Sequence, residues 1–359
     1  MRIIFLAGAD SIHSVRWIRY FLETGNKITW ITFGPPLPEA RDLIARCDFH
    51  HLRLSKGIFF LVELPVAIFK IRTLIKRLEP DLLHAHSAGL YGLVGALLHF
   101  HPYVLSVWGS DVLIFPSTNL KKKITTFILK KADLITLDGY NTRAVVVKFG
   151  IANEKVKFIQ FGVDAEKFAP KNIRQPNTVI SLRSLEPLYD IETLIRAAPN
   201  VISKIPQTKF LIAGDGYLKD QLVKLTEDLG ASGYTQFVGR ISHDKLPEFY
   251  NRASVYVSTS LSDSGLSMST AEAMACGLPV IITDISDNIH WVENYQGGFV
   301  IPIKNPKLLA EKIIYLLEHE TERKSFGAMN RRVVEERNSY LGEMAKVQTL
   351  YNNLLAAKK

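Results

Sequence analysis

Two consecutive α/β domains, each a parallel sheet flanked by helices, are what this sequence predicts. Three observations carry the expectation. Short apolar or β-branched runs alternate with longer stretches of helical periodicity, the pattern of βαβ units. The alternation ends near residues 158–160, pauses through a polar, proline-bearing stretch at 168–176 suited to a linker, and starts afresh near residue 179. The chain has 359 residues, about two domains at ~150 residues each. A composition of 47% hydrophobic and 22% charged residues excludes disorder, collagen-like repeats and coiled coil.

In the first domain, residues 1–170, strands are expected at 2–6, 27–33, 82–84, 103–107 and 134–137. Helical periods at 14–23, 90–99 and 142–148 fall between them, the first stopped by Gly25 and Asn26. The second domain, residues 171–359, reads as strands at 179–182, 209–213, 235–238, 255–258 and 280–283. Helices at 191–198, 218–229, 244–253 and 270–276 connect them. Amphipathic helices at 307–318 and 335–355 close the chain, and the last is expected to cross back to the first domain. Parallel sheets bind ligands beyond the carboxyl ends of their strands, so chemistry is sought in the strand-to-helix turns, facing a cleft between the domains.

The charge is lopsided. Residues 1–170 hold 22 Lys and Arg against 14 Asp and Glu, a net +8 out of +9 for the whole chain. The first half therefore faces something anionic, whether nucleic acid, acidic lipid or a phosphorylated small molecule. No nucleic-acid readout motif is present, which disfavours the first of these. The two cysteines, Cys47 and Cys276, stand in dissimilar contexts, so neither a disulfide framework nor a zinc site is expected and a reducing compartment fits. The apolar run from Ile3 reaches Asp10 too soon for a signal peptide and reads as a buried strand. Residues 57–75 carry Glu63, Pro65, Lys70 and Arg72, and fall short of the ~20 apolar residues of a membrane span. His84 with His86, and His99 with His101, lack a nearby third ligand; no metal site is expected, His84 is placed in the core and His86 towards the cleft.

The most informative turn runs from Ser262 to Val280, where small and hydroxyl residues lead into a helix stopped by Gly277 ahead of Pro279. Free backbone N–H groups at the start of such a helix, residues 267–270, form an anion site favouring phosphate. Glu272, a turn inside, can accept hydrogen bonds from paired hydroxyls such as those of ribose. The same residues suit a plain helix start equally well, with Ser269 or Thr270 as N-cap and Glu272 as the capping-box acid.

Glu272, Ala273, Met274, Ala275, Gly277, Pro279 and Val280 together resemble the carboxyl-terminal signature of glycosyltransferase family 4, the retaining group 1 enzymes of GT-B fold. Further landmarks resemble the family's in order and spacing: Gly162, Val163, Asp164 and Phe168; Gly214, Asp215 and Gly216; Gly239, Arg240 and Ile241; Thr283 and Asp284; Gly297 to Pro302. The resemblance implies two Rossmann-like domains facing each other across a cleft. It also implies metal-independent transfer of a sugar from a nucleoside diphosphate sugar, with no bound cofactor, to a hydroxyl of a glycan, lipid-linked or small-molecule acceptor in cell-surface glycan or glycolipid assembly. Gly214 and Gly216 also begin a dinucleotide fingerprint, but Lys219 occupies the third glycine position and a nicotinamide site is set aside.

Carried onto this chain, the resemblance places the donor on Arg183, Tyr189, Gly214, Asp215, Gly216, Arg240, Ile241, Asp263, Ser264, Leu266, Ser267, Met268 and Glu272. Glu272 would take the ribose, residues 239–241 the base, and Arg183 with the backbone of 267–270 the diphosphate. His13, Trp108 and Asp111, on turns of the first domain, are the catalytic candidates, with a structural role for His13 an even alternative. Three positions depart from the family. Tyr189 stands where a diphosphate-binding Lys belongs, Ser264 stands at the first acid of the Glu-x7-Glu pair with Asp263 beside it, and Trp108 stands where a His is frequent. These departures leave two alternatives open: a nucleotide-sugar-binding scaffold without transferase activity, and a GT-B nucleotide-sugar epimerase.

Two segments combine apolar and basic residues: 59–77, with Lys70, Arg72, Lys76 and Arg77, and 121–131, where lysines bracket residues 124–129. Either alone suits an ordinary helix with a solvated basic face; with the charge asymmetry they predict a cytoplasmic protein held on the inner, anionic face of the cell membrane through its first domain.

Overall fold

The computed structural model describes residues 1–55, 57–292 and 296–357 and divides the chain into two compact units. One comprises Met1–Gln160 with Glu343–Lys359, the other Phe161–Gly342.

The first unit contains β1 (Arg2–Leu6), α1 (Ile12–Glu23), β2 (Lys27–Thr32), α2 (Arg41–Ile44), β3 (Asp48–His51), α3 (Phe60–Leu78), β4 (Leu82–His86) and α4 (Leu90–Leu98). It continues with β5 (Tyr103–Ser106), α5 (Ser110–Leu113), α6 (Asn119–Lys131), β6 (Leu134–Leu137), α7 (Tyr140–Lys148) and β7 (Val156–Phe158). The strands form a parallel seven-stranded sheet in the order β3-β2-β1-β4-β5-β6-β7. Ile4, Leu6, Leu83, Ala85, Leu105 and Ile135 on its strands pack with Ile71, Val94, Ile128 and Leu129 of the helices into one core.

The second unit contains β8 (Thr178–Leu182), α8 (Ile191–Lys204), β9 (Lys209–Ala213), α9 (Lys219–Asp228), β10 (Thr235–Gly239), α10 (Leu246–Asn251), β11 (Val255–Ser258) and α11 (Met268–Ala275). β12 (Val280–Thr283), α12 (Asn288–Trp291), β13 (Gly298–Ile301), α13 (Pro306–Glu318) and α14 (Glu320–Arg337) complete it. A final helix, α15 (Tyr340–Ala356), ends the chain. This sheet is also parallel, in the order β10-β9-β8-β11-β12-β13. α8 shows the amphipathic logic plainly: Ile191, Leu194, Ile195, Ala198 and Val201 recur every three or four residues and enter the core, where α13 packs beside them.

In both sheets strand order reverses direction at one place, between β1 and β4 in the first and between β8 and β11 in the second. Loops leaving the two adjacent strands diverge there, opening a crevice at their carboxyl ends.

Several expectations need correction. The division falls between residues 160 and 161 rather than 170 and 171, because Val163 and Phe168 sit in the second unit's core and Val163 exchanges backbone hydrogen bonds with Asn338 and Tyr340. The helix expected at 335–355 is two helices, because the Asn338 side chain accepts from the Gly162 N–H and interrupts the run. The edge strands β3, β7 and β13 had no assigned place. Beyond Glu343 the chain packs on the first unit: buried Tyr351 stacks on Phe21 at 5.0 Å and its hydroxyl lies 2.5 Å from His84 Nδ1.

Candidate functional site

The second unit's crevice is built from the turns after β8 and β11, so residues 80 apart in sequence meet. Arg183, the first residue past β8, is almost wholly buried, its side chain 8% exposed. Its Nη2 donates to Asp263 Oδ1 at 2.5 Å, its Nη1 donates to Ser269 Oγ at 3.3 Å, and its guanidinium lies 4.3 Å over the Tyr189 ring. Burial, the largest single influence, pulls the guanidinium's pKa down, but the Asp263 carboxylate together with Tyr256 and Tyr189 turns the net shift upward, so the charge stays on. Tyr189 therefore supplies a face rather than a charge, and Asp263 is engaged by Arg183. Tyr256 of β11 donates to Ser269 Oγ from beneath, at 2.9 Å.

The turn after β9 closes on this cluster. A Cβ at Gly214, whose φ is +130°, would lie 2.0 Å from the Arg183 carbonyl oxygen, and one at Gly216 would lie 2.3 Å from that of Leu185. Only glycine admits so close a backbone approach there. Leu185 N–H donates to the Asp215 carbonyl at 3.0 Å, tying the two turns together, and Gly214 N–H donates to the Gly239 carbonyl at 2.9 Å, linking the next turn with exposed Arg240 and half-buried Ile241.

Helix α11 settles which residue caps it. Ser267 is the N-cap, its Oγ accepting from Thr270 N–H, so Met268 is the first helical position and Glu272 the fifth. A capping-box acid belongs at the third, which Thr270 occupies, so the expectation of Ser269 or Thr270 as cap with Glu272 serving it fails. Glu272, 3% exposed, instead accepts a hydrogen bond on Oε2 from Tyr250 Oη at 3.0 Å, and His243 Nε2 lies 3.7 Å from Oε1. Lys167 Nζ sits 2.7 Å from His243 Nδ1 and donates to it. Burial and the adjacent Glu272 push the Tyr250 hydroxyl pKa well up, so it stays a donor. Leu266 is buried in the core, while Ser264 and Met268 are half-buried.

In the first unit, His13 in the first turn of α1 and Trp108 on the turn after β5 meet edge to face at 5.8 Å, and Trp108 also packs on His86 at 5.0 Å. His86 is buried, against the expectation that it faces a cleft, and its Nδ1 is 3.1 Å from Ser14 Oγ. Asp111 is buried too; its carboxylate accepts from the Ala88 and Trp108 N–H groups, and burial raises its pKa despite them. Both oxygens thus brace the turn that carries Trp108. Among the described residues no three His, Cys, Asp or Glu side chains are grouped to hold a metal ion, and no helix is long and apolar enough to cross a membrane.

Residues 163–333 match the family described as glycosyl transferases group 1, and residues 2–139 match the family described as glycosyl transferase 4-like. The chain belongs to the group 1 glycosyltransferases. An uncharacterised glycosyltransferase of Methanocaldococcus jannaschii is 27% identical over 299 residues, 77% of this chain and 76% of the relative. The capsular polysaccharide biosynthesis glycosyltransferase CapM of Staphylococcus aureus is 27% identical over 305 residues, 82% of this chain and 72% of its own. Among solved structures, Anabaena HepE in complex with UDP-glucose aligns with a TM-score of 0.84 at 17% identity, over 98% of this chain and 100% of that one. Sucrose-phosphate synthase from Thermosynechococcus elongatus aligns at 0.83 and 19%, over 99% and 100%. The transferase thus has the GT-B architecture and is a hexosyltransferase-type enzyme.

Tyr250, Tyr256, His243 and Lys167 are the candidate-site residues that the sequence did not single out. Tyr250 and Tyr256 carried the one usable signal: tyrosines at core-facing positions, whose hydroxyls must find a partner inside.

Proposed function

We propose that the transferase moves a sugar, with retention of anomeric configuration and without a metal ion, from a nucleoside diphosphate sugar bound in the second unit to an acceptor hydroxyl handled by the first. The observation that carries this reading is Arg183, a buried guanidinium fixed at the start of α11 by Asp263, Tyr189 and Ser269, where strand order reverses. A diphosphate leaving group needs positive charge there; Arg183 and the α11 N–H groups provide it without a second cation. Glu272 would hold the ribose hydroxyls, its carboxylate oriented by Tyr250, and residues 239–241 would line the base. The departing phosphate would receive the acceptor proton on the same face. That HepE was solved with UDP-glucose, and CapM is named for capsular polysaccharide biosynthesis, supports this donor class and a role in cell-surface glycan assembly.

The test uses UDP-glucose as probe. Calorimetric titration should show binding to the wild-type chain and at least tenfold weaker binding in Arg183→Ala and Glu272→Ala, a hydrogen bond to a charged group being worth ~1.5–3 kcal/mol. Unchanged affinity in both variants would refute the site. Binding without release or transfer of glucose over a broad acceptor set would favour the scaffold reading, to which Tyr189 and Ser264 give substance.

A further inference from the structure

Helix α3 presents apolar side chains on both sides. Leu64, Ala67, Ile68, Ile71, Leu74 and Ile75 face the core, as a helix flanking a sheet requires. On the opposite side Val62, Val66 and Phe69 follow the same helical spacing into solvent, continued from Phe59 in the preceding turn; Phe69 is 71% exposed and Phe59 67%. Further along that face the character changes to Lys70, Lys76 and Arg77. A second patch lies at the start of α6, where Ile114, Phe115 and Leu120 are exposed beside Lys121, Lys122 and Lys123, with Lys121 Nζ 5.2 Å over the Phe115 ring.

The topology puts the two patches on one surface. α3 runs from the carboxyl end of β3 to the amino end of β4, and α6 from the carboxyl end of β5 to the amino end of β6. α4 lies between them, in contact with both. Both apolar patches therefore sit at the carboxyl edge of the first sheet, separated by roughly 20 Å at 8–10 Å per helix spacing. His13 and Trp108 occupy turns on that same edge. Exposed Phe, Leu and Val beside lysine, with no acidic residue on α6, form a surface for an anionic amphiphile rather than for water.

Resting on the reading of the first unit as the acceptor side, we infer that the α3 face and the α6 start form one docking surface for an anionic lipid bilayer, and that the acceptor is carried by a lipid embedded in it. Apolar side chains enter the headgroup boundary, the lysines meet phosphates, and the carboxyl-edge turns come to rest against the layer that bears the acceptor.

The experiment is co-sedimentation of the full chain with phosphatidylglycerol–phosphatidylcholine vesicles and with phosphatidylcholine vesicles, at low and high salt. Binding should require the anionic lipid and weaken with salt. Phe69→Ser, at an exposed position, should reduce it about tenfold, and joint Lys121→Gln, Lys122→Gln, Lys123→Gln substitution by ~100-fold, at ~1 kcal/mol per surface lysine. Absence of binding, equal binding to neutral vesicles, or indifference to both variants would overturn the inference. A concentration-dependent dimer that Phe69→Ser dissolves would overturn it in favour of a second copy of the chain. UDP titration of the same samples separates the two readings: intact UDP binding with no vesicle binding defeats this surface alone, whereas wild-type protein that binds vesicles but not UDP defeats the donor site alone.

Discussion

The Arg183–Asp263 pair makes a prediction that distinguishes a phosphate-binding arginine from a structural one. Its two side chains are 8% and 16% exposed, and the contact is 2.5 Å. Replacing Asp263 by Asn leaves the guanidinium buried with Ser269 and Tyr189 as its remaining partners. Stranding one partner of a buried pair costs about 3–5 kcal/mol, and those two contacts favour the lower end. At roughly 2–4 °C per kcal/mol for a domain of this size, Asp263→Asn should lower the melting temperature by about 6–12 °C. Donor binding should move the other way. In the unliganded wild type a diphosphate competes with Asp263 for Arg183; in Asp263→Asn it does not, so UDP should bind as tightly or more tightly, and saturating UDP should recover more stability than in the wild type. Arg183→Met should lose UDP affinity by at least tenfold. Differential scanning fluorimetry with and without UDP, beside calorimetry, reads all three. If Asp263→Asn weakened UDP binding while Arg183→Met left it intact, the arginine would be structural, the aspartate would contact ligand, and the argument would be refuted.

Tyr250→Phe removes the donor to buried Glu272 and should cost about 1.5–3 kcal/mol in urea unfolding while weakening UDP binding. Gly214→Ala drives a Cβ against the Arg183 carbonyl at a φ of +130° and should abolish UDP binding, measured by calorimetry, even if the chain still folds. Burial holds the His84 pKa well below its ordinary value and that of His86 down to about 3, so both stay neutral in the fold but take up protons once unfolded. Stability should therefore fall as pH drops below about 6.5, approaching ~1.4 kcal/mol per pH unit for each histidine, and His86→Gln should flatten the slope measured between pH 7 and 5.

Most of the fold was legible because parallel strands buried on both faces write themselves as short apolar runs, and helices such as α8 keep a regular buried stripe. What escaped had physical reasons. β3, with the sequence Asp48, Phe49, His50, His51, lies at a sheet edge half in solvent, where polar residues are tolerated and the strand pattern fades. Half of α14 is charged, so periodicity gives it little contrast. The break between α14 and α15 depends on Asn338, whose backbone and side-chain oxygens accept from Val163 and Gly162, over 170 residues upstream. No local window contains that bond, and the same bond moves the domain boundary to residue 160.

The candidate site divides along the same line. Motif residues were legible one at a time, but whether Glu272 caps its own helix or faces a ligand could not be decided from spacing, since both readings use the same residues. The structure removes only the capping reading, through where α11 begins, which is set by Ser267 bonding Thr270 and by Tyr256 reaching Ser269 from β11. Once the helix starts at Met268, Glu272 is too far along to serve the cap, and a buried carboxylate at that position needs partners from elsewhere. It has them in Tyr250 and His243, the latter backed by Lys167. The departures from the family pattern follow the same logic. Tyr189 replaces a cation and stacks beneath Arg183; Asp263, beside the missing acid, ties that same arginine in place. Under the proposed donor reading, both changes would place on the rigidly held Arg183 guanidinium the charge that two side chains would otherwise share.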